Sequence, residues 1–137
     1  VIYLFAALVP SFLSVIPFVK NDIEPFLSSK KACEYLMSNY NVTNTILASK
    51  FYARGVRFYT GRDVAATAIP GPNFFSPHPI PFLNIDHMVL EFFRKQKVTY
   101  CILKKSSLED IQRITYNGKL NFQVLKLIGK EYIVKVE

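Results

Sequence analysis

Residues 45–69, TILASKFYARGVRFYTGRDVAATAI, decide how the chain is read. TILAS, residues 45–49, has the length and composition of a short buried strand, and DVAATAI, residues 63–69, is a second strand candidate weakened by its alanines. Between them, residues 50–62 set Lys50, Arg54, Arg57 and Arg62 among Phe51, Tyr52, Phe58 and Tyr59. A short helix there presents guanidinium groups beside aromatic rings. Helices alternating with strands in this way are the units of an α/β sheet.

The same alternation extends in both directions. Upstream, Ser28 offers an N-cap to SKKACEYLMSNY, a helix with Ala32, Tyr35, Leu36 and Tyr40 on one face. Downstream, residues 70–81, PGPNFFSPHPIP, hold five of the eight prolines and read as a loop. Residues 85–93 return to helical spacing through Ile85, Met88, Val89, Phe92 and Phe93, and the basic RKQK that follows suits the negative end of the helix dipole. VTYCIL, residues 98–103, is a buried strand, and Ser106 with Glu109 forms a capping-box signature for a short helix. Residues 122–128 and 131–136 alternate around Gly129-Lys130 as a terminal hairpin. The expected fold is α/β, with a partly parallel sheet, flanking helices in two or three layers, and an antiparallel edge from the hairpin.

A length of 137 residues fits one domain, and 50% apolar content with a mean hydropathy of +0.18 is ample for a core and excludes intrinsic disorder. Seventeen basic against ten acidic residues give a net charge of +7, which points to a polyanion or an anionic membrane once the charges are placed. Lys30-Lys31, Arg94-Lys95-Lys97 and Lys104-Lys105 lie at element ends and read as solubilising.

The apolar residues are unevenly spread. Residues 1–19, VIYLFAALVPSFLSVIPFV, contain fifteen apolar residues and no charge. As a helix this run reaches about 28 Å, close to the roughly 30 Å hydrocarbon thickness of a bilayer, so a transmembrane helix is expected, with residues 20–27 as a juxtamembrane linker and residues 28–137 as the folded domain. Membrane helices tolerate residues such as Pro10 and Pro17 better than helices in water do. The alternative is a buried core helix. With neither a basic n-region, a small-residue cleavage site nor an initiator Met, the run does not read as a signal peptide, and the chain looks cut from something longer.

Little in the chain carries independent chemistry. There is no G-x-G-x-x-G or Walker glycine loop, and Gly55 and Gly61 do not match a dinucleotide fingerprint. Cys33 and Cys101 lack metal or redox spacing and read as buried thiols, with pairing left open for an extracytoplasmic domain. His78 and His87 have no partners at ligand spacing, Asp86 and Glu91 are five residues apart and do not face one another, and no serine elbow is present. No metal, no cofactor and no catalytic residue is expected. Asn41-Val42-Thr43 matches a glycosylation sequon, a triplet common by chance.

The run from Ile46 to Val64, with a helix before it and a proline-rich loop, helix, strand, helix and hairpin after it, resembles the C-terminal soluble domain of multi-span membrane glycosyltransferases. These are the bacterial protein-mannosyltransferase-like family and the aminoarabinose transferases that modify lipid A. In that group a strand leads into a small helix ending in an aromatic pair followed by Gly and Arg, and then into another strand; Phe58, Tyr59, Gly61 and Arg62 fill those places here. The resemblance covers roughly residues 28–137 and makes residues 1–19 the end of the last membrane span. It implies an enzyme that takes a sugar from a polyprenyl-phosphate donor, with its catalytic carboxylate in an early extracytoplasmic loop outside this chain. It further implies a domain on the extracytoplasmic, or periplasmic, side that caps the membrane site. Arg54, Arg57, Phe58, Tyr59 and Arg62 would then face lipid phosphate or acceptor, and the expected partners are the membrane, the upstream spans of the same enzyme and the sugar donor. A +7 domain outside sits against the positive-inside bias, but that bias counts short loops, and long domains translocate largely regardless of charge.

Two other readings remain at this level. One is a module behind a single anchor that binds anionic lipid or glycan through the basic aromatic surface. The other, a nucleic-acid binder with residues 1–19 in its core, lacks any stacking motif, and nucleic acid is not expected as a partner.

Overall fold

In the computed structural model, which describes Ile16 and residues 28–71 and 80–137, ten elements follow one another. They are α1 (Lys30–Asn39), β1 (Ile46–Ser49), α2 (Ala53–Thr60), β2 (Val64–Thr67), β3 (Phe82–Leu83), α3 (Asp86–Gln96), β4 (Thr99–Leu103), α4 (Lys105–Gly118), β5 (Phe122–Ile128) and β6 (Glu131–Val136). Apart from Ile16, the expected membrane helix and its linker lie outside the described residues, as does most of the proline-rich loop. Among the described residues no helix is long and apolar enough to cross a membrane.

The six strands form one sheet in the order β3-β2-β1-β4-β6-β5. β1 runs parallel to β2 and β4, and β2 to β3, while β6 is antiparallel to both β4 and β5. The mixed sheet is thus the expected parallel sheet with a C-terminal antiparallel hairpin. β1 and β2 are buried at every position, because helices cover both faces of a central parallel strand. The alanines that weaken β2 as a strand in isolation are here fully buried, Ala65 on one face and Ala66 on the other; burial between two helical layers overrides their low propensity.

Side-chain alternation divides the core into two. Ile46, Ala48, Val64, Ala66, Ile102 and Ile133 pack against α1 and α2, whereas Leu47, Ala65, Cys101, Leu103, Val134 and Val136 pack against α3 and α4. The domain therefore has three layers. Cys33 and Cys101 are free and buried on opposite sides of the sheet, so the sheet itself separates the two thiols. Burial pushes the Cys33 thiol up to about 12, aided by Glu131 and Glu34, and raises that of Cys101 as well.

Several boundaries differ from those read in the sequence, each for a local reason. The N-cap of α1 is Ser29, although Ser28 Oγ still accepts the Lys30 N–H at 3.2 Å. β3 is a two-residue strand too short to carry a periodic signal. In α3 the buried positions are Val89 and Phe93, while Ile85 and Met88 are exposed. The expected capping box is not formed: α4 starts at Lys105, one residue before Ser106, runs for 14 residues and has Lys104 at its N-cap without a side-chain cap bond. In β5 the register shifts between Val124 and Lys126, so strict alternation is broken and Leu125 and Ile128 join the α1/α2 core.

The amino edge of the sheet is clamped by amides. Gln96 Oε1 accepts the Thr45 N–H at 2.8 Å and its Nε2 donates to Thr45 O at 3.2 Å, while Asn44 Nδ2 donates to Val98 O at 2.9 Å. These bonds hold the α3–β4 turn against the start of β1. The turn needs holding, since Lys97 adopts φ 67° and ψ −53°, a rare conformation for a residue with a side chain.

Candidate functional site

The residues singled out by the sequence are gathered on α2 and the turn that follows it. α2 is eight residues long and carries a strongly divided surface: Ala53 and Val56 point into the core, with Tyr52 just before them. Arg54, Arg57, Phe58, Tyr59 and Arg62 all lie on the exposed side, joined by Phe51. Phe58 is 81% exposed and Phe51 75%, so these two rings are not core residues, whereas Tyr52 is. Gly61 ends the helix at φ 62°, its N–H donating to Arg57 O at 2.9 Å, a left-handed cap that glycine adopts at least cost.

The rings of this segment meet in two pairs, one of them joining exposed Phe51 to buried Tyr52. Phe58 and Tyr59 meet edge to face with centroids 5.2 Å apart, and Phe51 and Tyr52 do the same at 5.4 Å. Tyr59 OH lies 3.4 Å from Ser28 Oγ, which ties the end of α2 to the chain entering α1. Ser28, Ser29, Phe51, Tyr52 and Tyr59 line a shallow cleft of about 250 Å³ between α1 and α2. No described acid pairs with Arg57 or Arg62, and the surface is both cationic and aromatic.

Behind this cleft lies a group that the sequence reading passed over. Glu131, at the start of β6, is only 3% exposed, and its Oε2 has no hydrogen-bond partner. Burial pushes its carboxyl up to about 7, opposed by a hydrogen bond from Ser29, and its charge also helps raise the Tyr52 and Cys33 hydroxyl and thiol. The available signal was its phase: Glu131 and Ile133 share a face of β6, and Ile133 is core. Its carboxyl is thus buried beside Ser29 and Tyr52 on the α1/α2 side of the sheet.

The remaining titratable candidates serve the surface. Asp86 pairs with Arg113, which also approaches Asp110 at 3.6 Å, and the guanidinium holds the Asp86 carboxyl below its ordinary range. His87 Nδ1 stands 3.9 Å from Glu91, one helical turn along α3, with both side chains exposed. His78 lies outside the described residues. Among the described residues no group of three or more His, Cys, Asp or Glu could hold a metal ion.

No family model matches the chain, and no curated protein does. Among solved structures the chain is similar to ArnT from Cupriavidus metallidurans in the apo state, with a TM-score of 0.55 and 8% sequence identity. The likeness covers 82% of this chain and 20% of that one, so the chain spans about one fifth of the structure it matches. At that identity the shared property is the fold: the α/β domain described above has a counterpart within ArnT.

Proposed function

We propose that the chain is the C-terminal part of an integral membrane glycosyltransferase that moves a sugar from a polyprenyl-phosphate donor to a lipid, glycan or protein acceptor. Residues 28–137 form a domain on the extracytoplasmic side that caps the membrane site and is not itself catalytic. The observation that carries this reading is the fold likeness to ArnT, a membrane-bound aminoarabinose transferase, over 82% of the chain. The charge-free run of residues 1–19, long enough to span a bilayer, supports it from the sequence side.

The surface of α2 suits such a position. Phe51 and Phe58 expose hydrocarbon that water does not favour, and aromatic rings settle readily at the headgroup level of a membrane. Arg54, Arg57 and Arg62 beside them bring planar guanidinium groups that pair with phosphate. The cap therefore rests on the membrane through α2, near lipid phosphates or the acceptor. On this reading the reacting carboxylate belongs to a part of the enzyme outside this chain; the enclosure of Glu131 by Ser29 and Tyr52 and the pairing of Asp86 with Arg113 are compatible with it.

The test is sugar transfer by the complete protein that contains this chain, measured with a polyprenyl-phosphate sugar in native membranes. Reversing charge at Arg57 and Arg62 together is expected to lower transfer by about tenfold or more, the scale of losing charge-assisted phosphate contacts. Unchanged transfer would remove α2 from the site. Absence of any transferase activity, with lipid binding retained, would favour the single-anchor lipid- or glycan-binding module instead.

A further inference from the structure

The chain leaves β1 toward β2 and β3 on one side, then crosses back to place β4 on the other side of β1. In open parallel sheets, the crevice outside the carboxyl ends of the strands at such a reversal is where ligands bind. Here the crevice is a cavity of about 510 Å³, bounded by Tyr52 after β1, by Lys104, Lys105 and Ser106 after β4, and by Lys130 and Tyr132 from the β5–β6 hairpin. Leu127 completes one apolar wall. No acid lines it.

The lysines are placed against the usual preference of a helix. Lys104 and Lys105 stand at the N-terminus of the 14-residue α4, whose first turn contains no acid, although the helix dipole favours anions and disfavours cations there. No described acid pairs with either side chain, whereas elsewhere on the surface Arg113 meets Asp86 and Asp110, and Lys135 meets Glu137. Ser106 lines the cavity instead of capping the helix. The Lys104 N–H donates to the buried Ser49 Oγ at 3.0 Å, fixing this basic corner to the end of β1. Glu131, between Lys130 and Tyr132 in sequence, lies with Ser29 and Tyr52 on the α1/α2 side of the sheet. The result is a concave, positively charged site with aromatic walls.

We propose that this cleft binds a phosphate group, with Lys104, Lys105 and Lys130 as its cationic partners and Tyr52, Tyr132 and Leu127 as walls for an apolar or ring-bearing body attached to it. Lysines act as point charges toward phosphate, and three from two elements suit a group with more than one negative charge. This site is separate from the exposed face of α2, and it rests on the fold and not on the transferase reading.

The test uses the full chain in phosphate-free zwitterionic detergent, with inorganic pyrophosphate as a soluble probe followed by phosphorus NMR, and flotation with phosphatidylcholine vesicles with and without phosphatidic acid. The expected result is saturable binding of one or both probes, weakened about tenfold or more by Lys104→Ala with Lys105→Ala, and by less than about twofold by Lys126→Ala, an exposed lysine outside the cleft. Pyrophosphate binding that needs Lys104 and Lys105 assigns a soluble phosphate ligand; vesicle binding alone with the same requirement assigns a lipid headgroup. Equal loss in the Lys126 variant, or no saturable binding of either probe, overturns the site. So does vesicle binding that depends on Arg57 and Phe58 but not on the two lysines, when pyrophosphate binding that needs the lysines is absent as well. Circular dichroism and thermal unfolding of each variant separate lost binding from lost folding, and Lys130→Gln supplies a single-residue check if the double variant unfolds.

Discussion

The two faces of the sheet are built from the same strands and carry different loads. Toward α3 and α4 the buried hydroxyl of Thr115 is satisfied within its own helix, donating to Ile111 O at 2.9 Å, and its neighbours Val89, Phe93, Ile111 and Ile114 are hydrocarbon. Toward α1 and α2 the hydrocarbon is interrupted by Glu131, with an unpartnered oxygen, beside Ser29, Tyr52 and Cys33. A buried carboxyl with one oxygen unsatisfied is costly when ionised. The exposed aromatic and basic surface of α2 lies on this same face, so both layers are packed with hydrocarbon but the α1/α2 layer alone carries the unsatisfied acid together with the candidate surface.

The comparison can be broken most directly at fully buried aliphatic residues. Ile111→Ala, on the α3/α4 face, is expected to cost about 3–4 kcal/mol, and Leu36→Ala, on the α1/α2 face, a similar amount, because each removes hydrocarbon and leaves a cavity. Urea unfolding at pH 5 measures both. A much smaller loss at Leu36 would mean that the α1/α2 layer is only loosely packed.

Glu131→Gln sharpens the contrast through pH. Its carboxyl is raised from an ordinary value of 4.5 to about 7, so the folded state holds a proton that the unfolded state releases between those values. Stability of the parent chain should fall as pH rises through that window, with the full penalty present above pH 7. The amide variant removes this dependence. It is expected to be more stable than the parent by about 2–3 kcal/mol at pH 8 and nearly equal to it at pH 4, by thermal unfolding across pH. A parallel pH dependence in the two proteins would show that Glu131 ionises in contact with water.

Smaller effects test the helix that carries the surface. Gly61→Ala places a side chain at φ 62° and should cost about 1 kcal/mol, read by urea unfolding. Phe58→Ala, at an exposed ring, should change stability by less than about 0.5 kcal/mol while reducing flotation with anionic vesicles. A large loss of stability at Phe58 would mean that the ring is covered in the folded protein. Neither Cys33 nor Cys101 should react with iodoacetamide in the native state, since burial withholds the thiolate at both; mass spectrometry of the intact chain checks this.

Much of this architecture was legible in the amino-acid order. Apolar runs of strand length alternating with helical spacing specify an α/β sheet, and the Gly129-Lys130 hairpin appears within the bounds its alternation indicates, Phe122–Ile128 and Glu131–Val136. Local chemistry is sufficient there, because a strand's period and a turn's residues are properties of short stretches. The cluster of Arg and aromatic residues on α2 was visible for the same reason. Its exposure was not: in sequence, Phe51, Tyr52, Phe58 and Tyr59 look alike, and only docking of α2 on β1 and β2 buries Tyr52 and leaves Phe58 in solvent.

The tertiary structure alone decided three further matters. Sheet order is one, since nothing local says that β4 returns to the far side of β1, and that return creates the crevice at their carboxyl ends. The start of α4 is another: Ser106 and Glu109 match a capping box, yet the helix starts one residue earlier, with the Lys104 N–H bonded to Ser49 Oγ from the end of β1 and Ser106 lining the cavity. The third is Glu131, whose burial depends on Ser29, Cys33 and Tyr52 arriving from α1 and the β1–α2 turn. Apart from the two-residue β3 and the exact start of α4, sequence determined which segments are helix and strand because those preferences act over a few residues; partners, registers and cavities followed only from contacts between residues as far apart as Ser29 and Glu131.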